Sequence, residues 1–397
     1  MKLYLALPVM NESENLPAFL QCLSEQAESN FELFVCINQP DHWWDDAEKV
    51  HICEDNKRSI EILKKRQPYP VHLIDRSSSG HGWKGKHFGV GWARKTAMDA
   101  INVKALDKDI IISLDADTFY PPDYLSSVQN LFEGFPAKVG LSNPYYHLLS
   151  DEEKTDRAML RYEIYMRSYS INMLRINNPY SFTALGSAMA FPLWAYRKVN
   201  GITPHKSGED FYFLKKLRKS GELILWNRAK AYPSPRPSDR VFFGTGPAII
   251  KGIEGNWNSY PIYHYKLFDE VKESRDAFHD LFEGDFKVPM SGFLHEIFKE
   301  ENIWRPLRKN SKSADQFADA CFRKIDALRI LQYLKYRQNQ LKYPDEFCLK
   351  ENLVCFKADF SLPEDFSFET SDVELLDEIR NRLVLLEENL QRATLTG

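Results

Sequence analysis

The chain has no pair of cysteines in C-x-x-C spacing, no apolar run long enough to cross a bilayer, and almost no excess of charge of either sign. Its six cysteines (Cys22, Cys36, Cys53, Cys321, Cys348, Cys355) are scattered over 397 residues. Lacking a zinc spacing or a compact disulfide framework, they read as free thiols in a reducing compartment. No stretch approaches the roughly 20 apolar residues that a membrane-crossing helix needs. Residues 1–9 turn polar too soon for a secretory leader. The expectation is a soluble, cytoplasmic protein with no transmembrane segment, surface contact at the inner face of a membrane being left open. A formal net charge of −4 excludes a general nucleic-acid binder, which needs a clear basic excess. The glycines match neither the dinucleotide fingerprint nor the P-loop.

Aromatic residues, by contrast, are plentiful: 26 Phe, 19 Tyr and 8 Trp supply a sizeable core, and the length suits two or three domains. Apolar runs at 2–9, 31–37, 71–74 and 109–114 predict strands. Between them lie helical patterns, first at Leu16, Phe19, Leu20 and Leu23 (i, i+3, i+4, i+7), then over 45–66 and 91–101. Such alternation predicts an α/β fold with a parallel sheet covered on both faces and loops gathered at the strands' C-terminal ends. Residues 183–191, small and apolar around Gly186-Ser187, predict a strand passing close to a ligand or another backbone. Residues 232–246, rich in Pro, Ser, Arg and Gly, read as a loop without regular structure. From about residue 270 helical periodicity dominates, over 313–340 and 371–391, with two short strands expected within 348–362. The domains expected are a catalytic one over 1–268 and a mainly helical extension over 269–397. The extension packs on the first domain or mediates self-association into a homo-oligomer.

The stretch Ile110-Ile111-Ile112-Ser113-Leu114-Asp115-Ala116-Asp117 ends an apolar run in two carboxylates one residue apart. At a strand's C-terminal edge such a pair suits a hard divalent cation that also holds phosphate oxygens; a capping Asp plus a loop Asp is the plainer alternative. Gly208-Glu209-Asp210 opens a helix and offers either N-terminal capping or a carboxylate to take a proton from an incoming hydroxyl. Lys84, Lys86 and Arg94, around a Gly-rich loop, are candidates for phosphate or base contact, or are solvated. Arg236 and Arg240 stand on a stiff Pro-rich loop that suits a diphosphate or an anionic acceptor, or is simply structural. His205 and His264 are candidates for a third metal ligand, against the commoner structural histidine.

Taken in order, these residues resemble the nucleotide-sugar glycosyltransferases of the GT-A fold, in particular inverting family 2, over residues 2 to about 265. Leu7-Pro8-Val9-Met10-Asn11-Glu12 resembles the family's first-strand motif beside the nucleotide, and Asp41 stands where the family has an Asp on uracil. Ala93-Arg94 resembles another nucleotide contact, with Lys95 in place of the family's Asn. Asp115-Ala116-Asp117 resembles the DxD motif on the ribose and the divalent cation, and Gly186-Ser187-Ala188-Met189 the strand lining the donor-sugar and acceptor pocket. Glu209-Asp210 resembles the pair whose Asp is the catalytic base. The Gln-x-x-Arg-Trp motif of processive membrane synthases is missing.

The resemblance implies a Rossmann-like GT-A domain with a mixed, mostly parallel sheet flanked by helices. It further implies non-processive transfer with inversion from a nucleotide sugar, UDP being favoured by Asp41 and Arg94. The acceptor hydroxyl would belong to a glycan, a lipid-linked or a small-molecule acceptor, as in polysaccharide biosynthesis. Asp210 is the implied catalytic base. Pro8, Asn11, Glu12, Asp41, Lys84, Arg94, Asp115, Gly186, Glu209, Arg236 and Arg240 are the implied donor contacts. Asp117, Asp115 and His264 are the implied ligands of Mn2+ or Mg2+. Three alternatives stay open: a retaining GT-A transferase, a phosphohydrolase of strand-Asp-x-Asp type, and a non-catalytic nucleotide-sugar-binding scaffold.

Overall fold

Residues 3–9, Leu-Tyr-Leu-Ala-Leu-Pro-Val, offer no charged side chain, and all seven are buried. A strand without a polar face must be covered on both sides, and this one, β1 (Leu3–Val9), lies inside a seven-stranded sheet. The computed structural model describes residues 1–150, 152–238, 242 and 244–395. Contacts divide the chain into two units. The first comprises Met1–Met159, Phe182–Glu254 and Gln391–Gly397; the second comprises Leu160–Ser181 and Gly255–Leu390.

In the first unit the strands are, after β1, β2 (Phe31–Asn38), β3 (Val71–Arg76), β4 (Ile110–Ser113), β5 (Thr118–Phe119), β6 (Gly140–Ser142), β7 (Met189–Pro192), β8 (Leu223–Ile224) and β9 (Tyr232–Pro233). The large sheet runs β3-β2-β1-β4-β7-β6-β8. Pairs β1–β2, β1–β4, β2–β3 and β6–β8 are parallel, while β7 runs antiparallel to β4 and β6. The sheet is thus mixed and mostly parallel, as the family resemblance implies. The chain winds outward from β1 to β3 and then returns to place β4 on the other side of β1. A crevice opens at such a reversal, outside the strands' C-terminal ends. Helices α1 (Leu16–Ser24), α2 (Val50–Lys64), α3 (Val90–Lys104) and α4 (Tyr124–Gly134) connect the strands. The apolar stripes of α1, α2 and α4, among them Phe19, Leu23, Tyr124 and Val128, share one core with Leu5, Leu7, Val35 and Ile112.

Two local expectations are revised here. The strand expected over 183–191 shrinks to β7, because Ala188 donates its N–H to Leu185 O at 2.9 Å and so forms a turn ahead of the ladder. The segment expected to lack regular structure contains β9, which pairs antiparallel with β5 (Thr118 with Pro233, Phe119 with Tyr232), and the start of a helix, Thr245–Ile253. The next helices are α5 (Glu153–Arg175), whose chain passes from the first unit into the second, α6 (Leu193–Lys198) and α7 (Glu209–Arg218).

The second unit is helical. Instead of two strands within 348–362, a helix spans Asp345–Cys355, burying Cys348, Leu349, Asn352 and Leu353. The i, i+1, i+4, i+5 spacing of these four residues is that of one helical face. They pack with Leu160, Ile164, Leu376, Ile379 and Leu383. Inside this unit Arg167 bonds Glu163 at 2.6 Å and Glu387 at 2.5 Å, and Arg380 reaches Glu163 at 3.5 Å, all four residues being buried. Truncating one member of such a group would leave a buried charge unpaired. No helix among the described residues is long and apolar enough to cross a membrane.

Candidate active site

The crevice outside β1 and β4 is built from short segments, each held by a hydrogen bond that sequence alone does not display. After β1, the chain turns at Asn11, whose φ of 59° lies in the left-handed region that Asn tolerates. The Asn11 N–H donates to Asn56 Oδ1 at 2.9 Å. Asn56, fully buried on α2, turns its Nδ2 to Asn38 O (3.3 Å) and Gln39 Oε1 (2.7 Å), at the end of β2. One amide thus fixes the loops after both strands. Two positions earlier in the chain than Asn56's next neighbour, Asp55 receives the Ser13 N–H at 3.0 Å. The helical pattern over 45–66 gives Asn56 no role, and it is missed there. Its spacing from Cys53, Ile60 and Leu63 (i, i+3, i+7, i+10) is the signal that puts it on the buried face.

Asp41 closes the Gly-rich loop by accepting the N–H groups of Gly80 (2.8 Å) and Gly82 (3.2 Å). A Cβ at Gly82 would stand 2.6 Å from the Asp41 Cα, so only glycine permits this approach. Lys84 is exposed on the same loop. Pro8 is buried near the end of β1, opposite Cys36.

Arg94 is the centre of the site. It is 1 % exposed, although the sequence reading has it contacting the nucleotide. Its Nη2 donates to Asp115 Oδ1 at 2.9 Å and its Nε to Glu209 Oε1 at 3.1 Å. Its Nη1 donates to Gly186 O at 3.0 Å and to Ser113 Oγ. One guanidinium therefore joins the end of β4, the turn before β7 and the first residue of α7. Burial opposes its charge, but Asp115 and Glu209 outweigh that and keep it protonated. Gly186 makes room for it: a Cβ there would fall 2.4 Å from Arg94 Nη2. Gly186→Ala is expected to push the guanidinium off Asp115. It should lower activity by about 10²-fold, the cost of misplacing reacting groups by roughly 1 Å, with the overall fold retained. Kinetics together with a circular-dichroism melt would check this.

Tyr120, also missed in the sequence, is 1 % exposed and braces the same corner. Its hydroxyl accepts the Asp115 N–H at 3.1 Å and donates to Ser187 O at 3.0 Å.

Asp210 is half-buried at the start of α7 and accepts its neighbour Phe211's N–H at 2.7 Å. Three carboxylates, Asp115, Glu209 and Asp210, thus surround one buried cation. Burial, and after it the charge of Glu209, pushes the Asp210 carboxyl up to about 7. A carboxylate so tuned is poised to take a proton near neutral pH.

On the other side of the crevice Arg236 Nη2 bridges Glu12 Oε1 (2.7 Å) and Asp117 Oδ2 (2.8 Å). Glu12 also accepts from Asn15 Nδ2 at 2.6 Å. Arg240 lies outside the described residues. His264, in the second unit, is 3 % exposed and caps the helix Tyr265–Asp276, its Nδ1 accepting the Lys266 N–H at 3.1 Å. It is used as a helix cap. His205 packs its ring on Tyr212, centroids 4.6 Å apart. No group of three His, Cys, Asp or Glu that could hold a metal occurs among the described residues.

Comparison with known proteins adds to this geometry. The family model described as glycosyl transferase family 2 matches residues 4–192, a span that holds Pro8, Asp41, Arg94, both Asp residues after β4, and Gly186. No curated protein sequence matches the chain. Among solved structures, TarS of S. aureus in complex with UDP-GlcNAc is similar at 10% identity, covering 100% of this chain and 92% of that one, with a TM-score of 0.41. The mannosyltransferase PcManGT of Pyrobaculum calidifontis, in complex with GDP-Man and Mn2+, is similar at 14% identity, covering 97% and 85%, with a TM-score of 0.38. Over residues 4–192 the chain is similar to glycosyl transferase family 2, and the protein is a glycosyltransferase resembling that family.

Proposed function

We propose that the protein moves one sugar, with inversion, from a nucleotide sugar to an acceptor hydroxyl in the cytoplasm, and that UDP carries the sugar. The observation that supports this best is the Arg94 clamp. It draws Asp115, at the end of β4, and Glu209, beside Asp210, onto one guanidinium at 2.9 and 3.1 Å. Donor-side and acceptor-side carboxylates then share a single crevice.

Asp210 takes the proton of the acceptor hydroxyl. The acceptor oxygen bonds to the anomeric carbon from the face opposite the diphosphate, the carbon–phosphate-oxygen bond breaks, and the proton remains on Asp210. The transition state is oxocarbenium-like, as in other glycosyl chemistry. Glu12 and Asp117 hold positive charge in the form of Arg236, so Asp117, with Asp115 nearby, suits a hard cation that keeps water and phosphate oxygens as its other ligands. Mn2+ or Mg2+ bound there would neutralise charge building on the diphosphate. Arg236, beside Asp117, would do the same through its planar fork. Asn56 and Asp41 keep the nucleotide-side loops in register.

A thermal-shift panel of UDP-, GDP- and dTDP-sugars, each with Mn2+ or Mg2+, tests the reading. A ligand at 100 times its Kd stabilises by about 2.7 kcal/mol. The UDP-sugars are expected to give the largest rise; no rise with any nucleotide sugar would overturn the proposal.

A further inference from the structure

Three aromatic rings stand at the rim of the crevice without a core to fill. Phe119, two residues after Asp117, is 46 % exposed. Burying a Phe is favourable, so one left open beside the Asp pair calls for an explanation. Its ring lies 5.9 Å from that of Tyr232, its partner across the β5–β9 ribbon, and Tyr146 follows at 6.2 Å from Tyr232. Both tyrosines are half-exposed.

The orientation of the ribbon follows from its burial pattern. Along 232–236, Pro233 and Pro235 are buried while Tyr232, Ser234 and Arg236 are half-open, an alternation of period two. Tyr232 therefore shares a face with Arg236, which bonds Asp117 and Glu12. Across the ribbon Thr118 is buried and Phe119 is open, so the phenyl ring belongs to that same open face. The Ser234 N–H donates to Asp117 O at 3.1 Å and ties the ribbon to the site.

We propose that the acceptor is a glycan, and that its sugar rings stack on the step made by Phe119, Tyr232 and Tyr146. This rests on the transferase reading above and extends it to the class of the acceptor. An aromatic face carries negative quadrupole charge and attracts the polarised C–H face of a pyranose. The rings are tilted by 50° and 63° to one another, so they offer separately aimed faces. Ser234, Arg236 and two phenol hydroxyls interrupt the apolar surface and suit a sugar's ring of hydroxyls. A lipid chain, needing an unbroken apolar groove, is poorly matched.

Calorimetric titration of the full chain with chito-, cello- and manno-oligosaccharides, in UDP and Mn2+, tests this directly. The wild-type protein is expected to bind at least one series. Phe119→Ala and Tyr232→Ala should each weaken that binding by about tenfold, Phe119→Trp should keep it, and UDP should bind all of them alike. Two outcomes would overturn the proposal: UDP binding without saturable binding of any oligosaccharide, or oligosaccharide binding unchanged in both alanine variants. Failure of UDP to bind, with oligosaccharide binding intact and sensitive to Phe119, would instead sink the donor reading and leave the platform standing.

Discussion

Asp210→Asn is expected to leave the fold and donor binding intact while transfer falls by about 10²–10⁴-fold, the usual contribution of a general base. The amide is nearly the same shape and can still accept the Phe211 N–H. In the wild-type enzyme, activity should rise with pH through about 7 as the Asp210 carboxyl, pushed up by burial and by Glu209, gives up its proton. Stability should move in the opposite sense. A carboxyl whose folded pKa is raised favours the folded state below its ordinary value near 4, and that contribution is lost as pH rises through about 7. Asp210→Asn removes the lost term, so its melting temperature at pH 8 should exceed that of the wild type. The gain is about 2–4 °C for each kcal/mol relieved. An active variant, or one melting below the wild type at pH 8, would count against Asp210 as the base.

Arg94 carries the other large effect. Arg94→Leu removes the single buried cation from Asp115 and Glu209 and leaves Glu209, 3 % exposed, without its partner. Breaking a buried pair in this way costs about 3–5 kcal/mol, a large part of the stability of an ordinary domain. Arg94→Lys keeps the charge but not the fork. An ammonium cannot span the end of β4, the Gly186 carbonyl and Glu209 together. Arg94→Lys should therefore fold, with donor affinity changed little and turnover down by about 10²-fold. Denaturant titration of the first variant and kinetics of the second check the two halves. A Lys variant of full turnover would remove Arg94 from the machinery.

The sequence displayed the elements that depend on local composition. Runs such as residues 3–9 and 110–113 are uniformly apolar, so strands β1 and β4 and the Asp pair beyond them are readable without coordinates. Pairings between distant segments are not. Nothing local to Phe119 or Tyr232 announces that they are neighbours, and the segment around Tyr232 looked irregular for that reason. The helix Asp345–Cys355 was hidden in another way, because Leu353, Val354 and Phe356 carry strand propensity while the spacing of Cys348, Leu349, Asn352 and Leu353 decides for helix. The motif around Arg94 marks it as a nucleotide contact, but sequence does not say whether an arginine is solvated or enclosed, as this one is. Sequence is equally silent on His264, whose imidazole caps a helix.

The division of the chain also bears on how the protein is made. Residues 391–397 belong to the first unit, where Leu395 packs on the core of the large sheet and the Arg392 guanidinium lies 4.8 Å from the Trp226 ring. Residues 160–181, early in the chain, belong to the second. During synthesis the first unit therefore waits for a segment translated after all of 255–390, and the second is begun long before the rest of it emerges. No single cut yields either unit whole. Moving the first unit onto another scaffold would require carrying the far end of the chain with it, as a split and rejoined gene and not as a truncation.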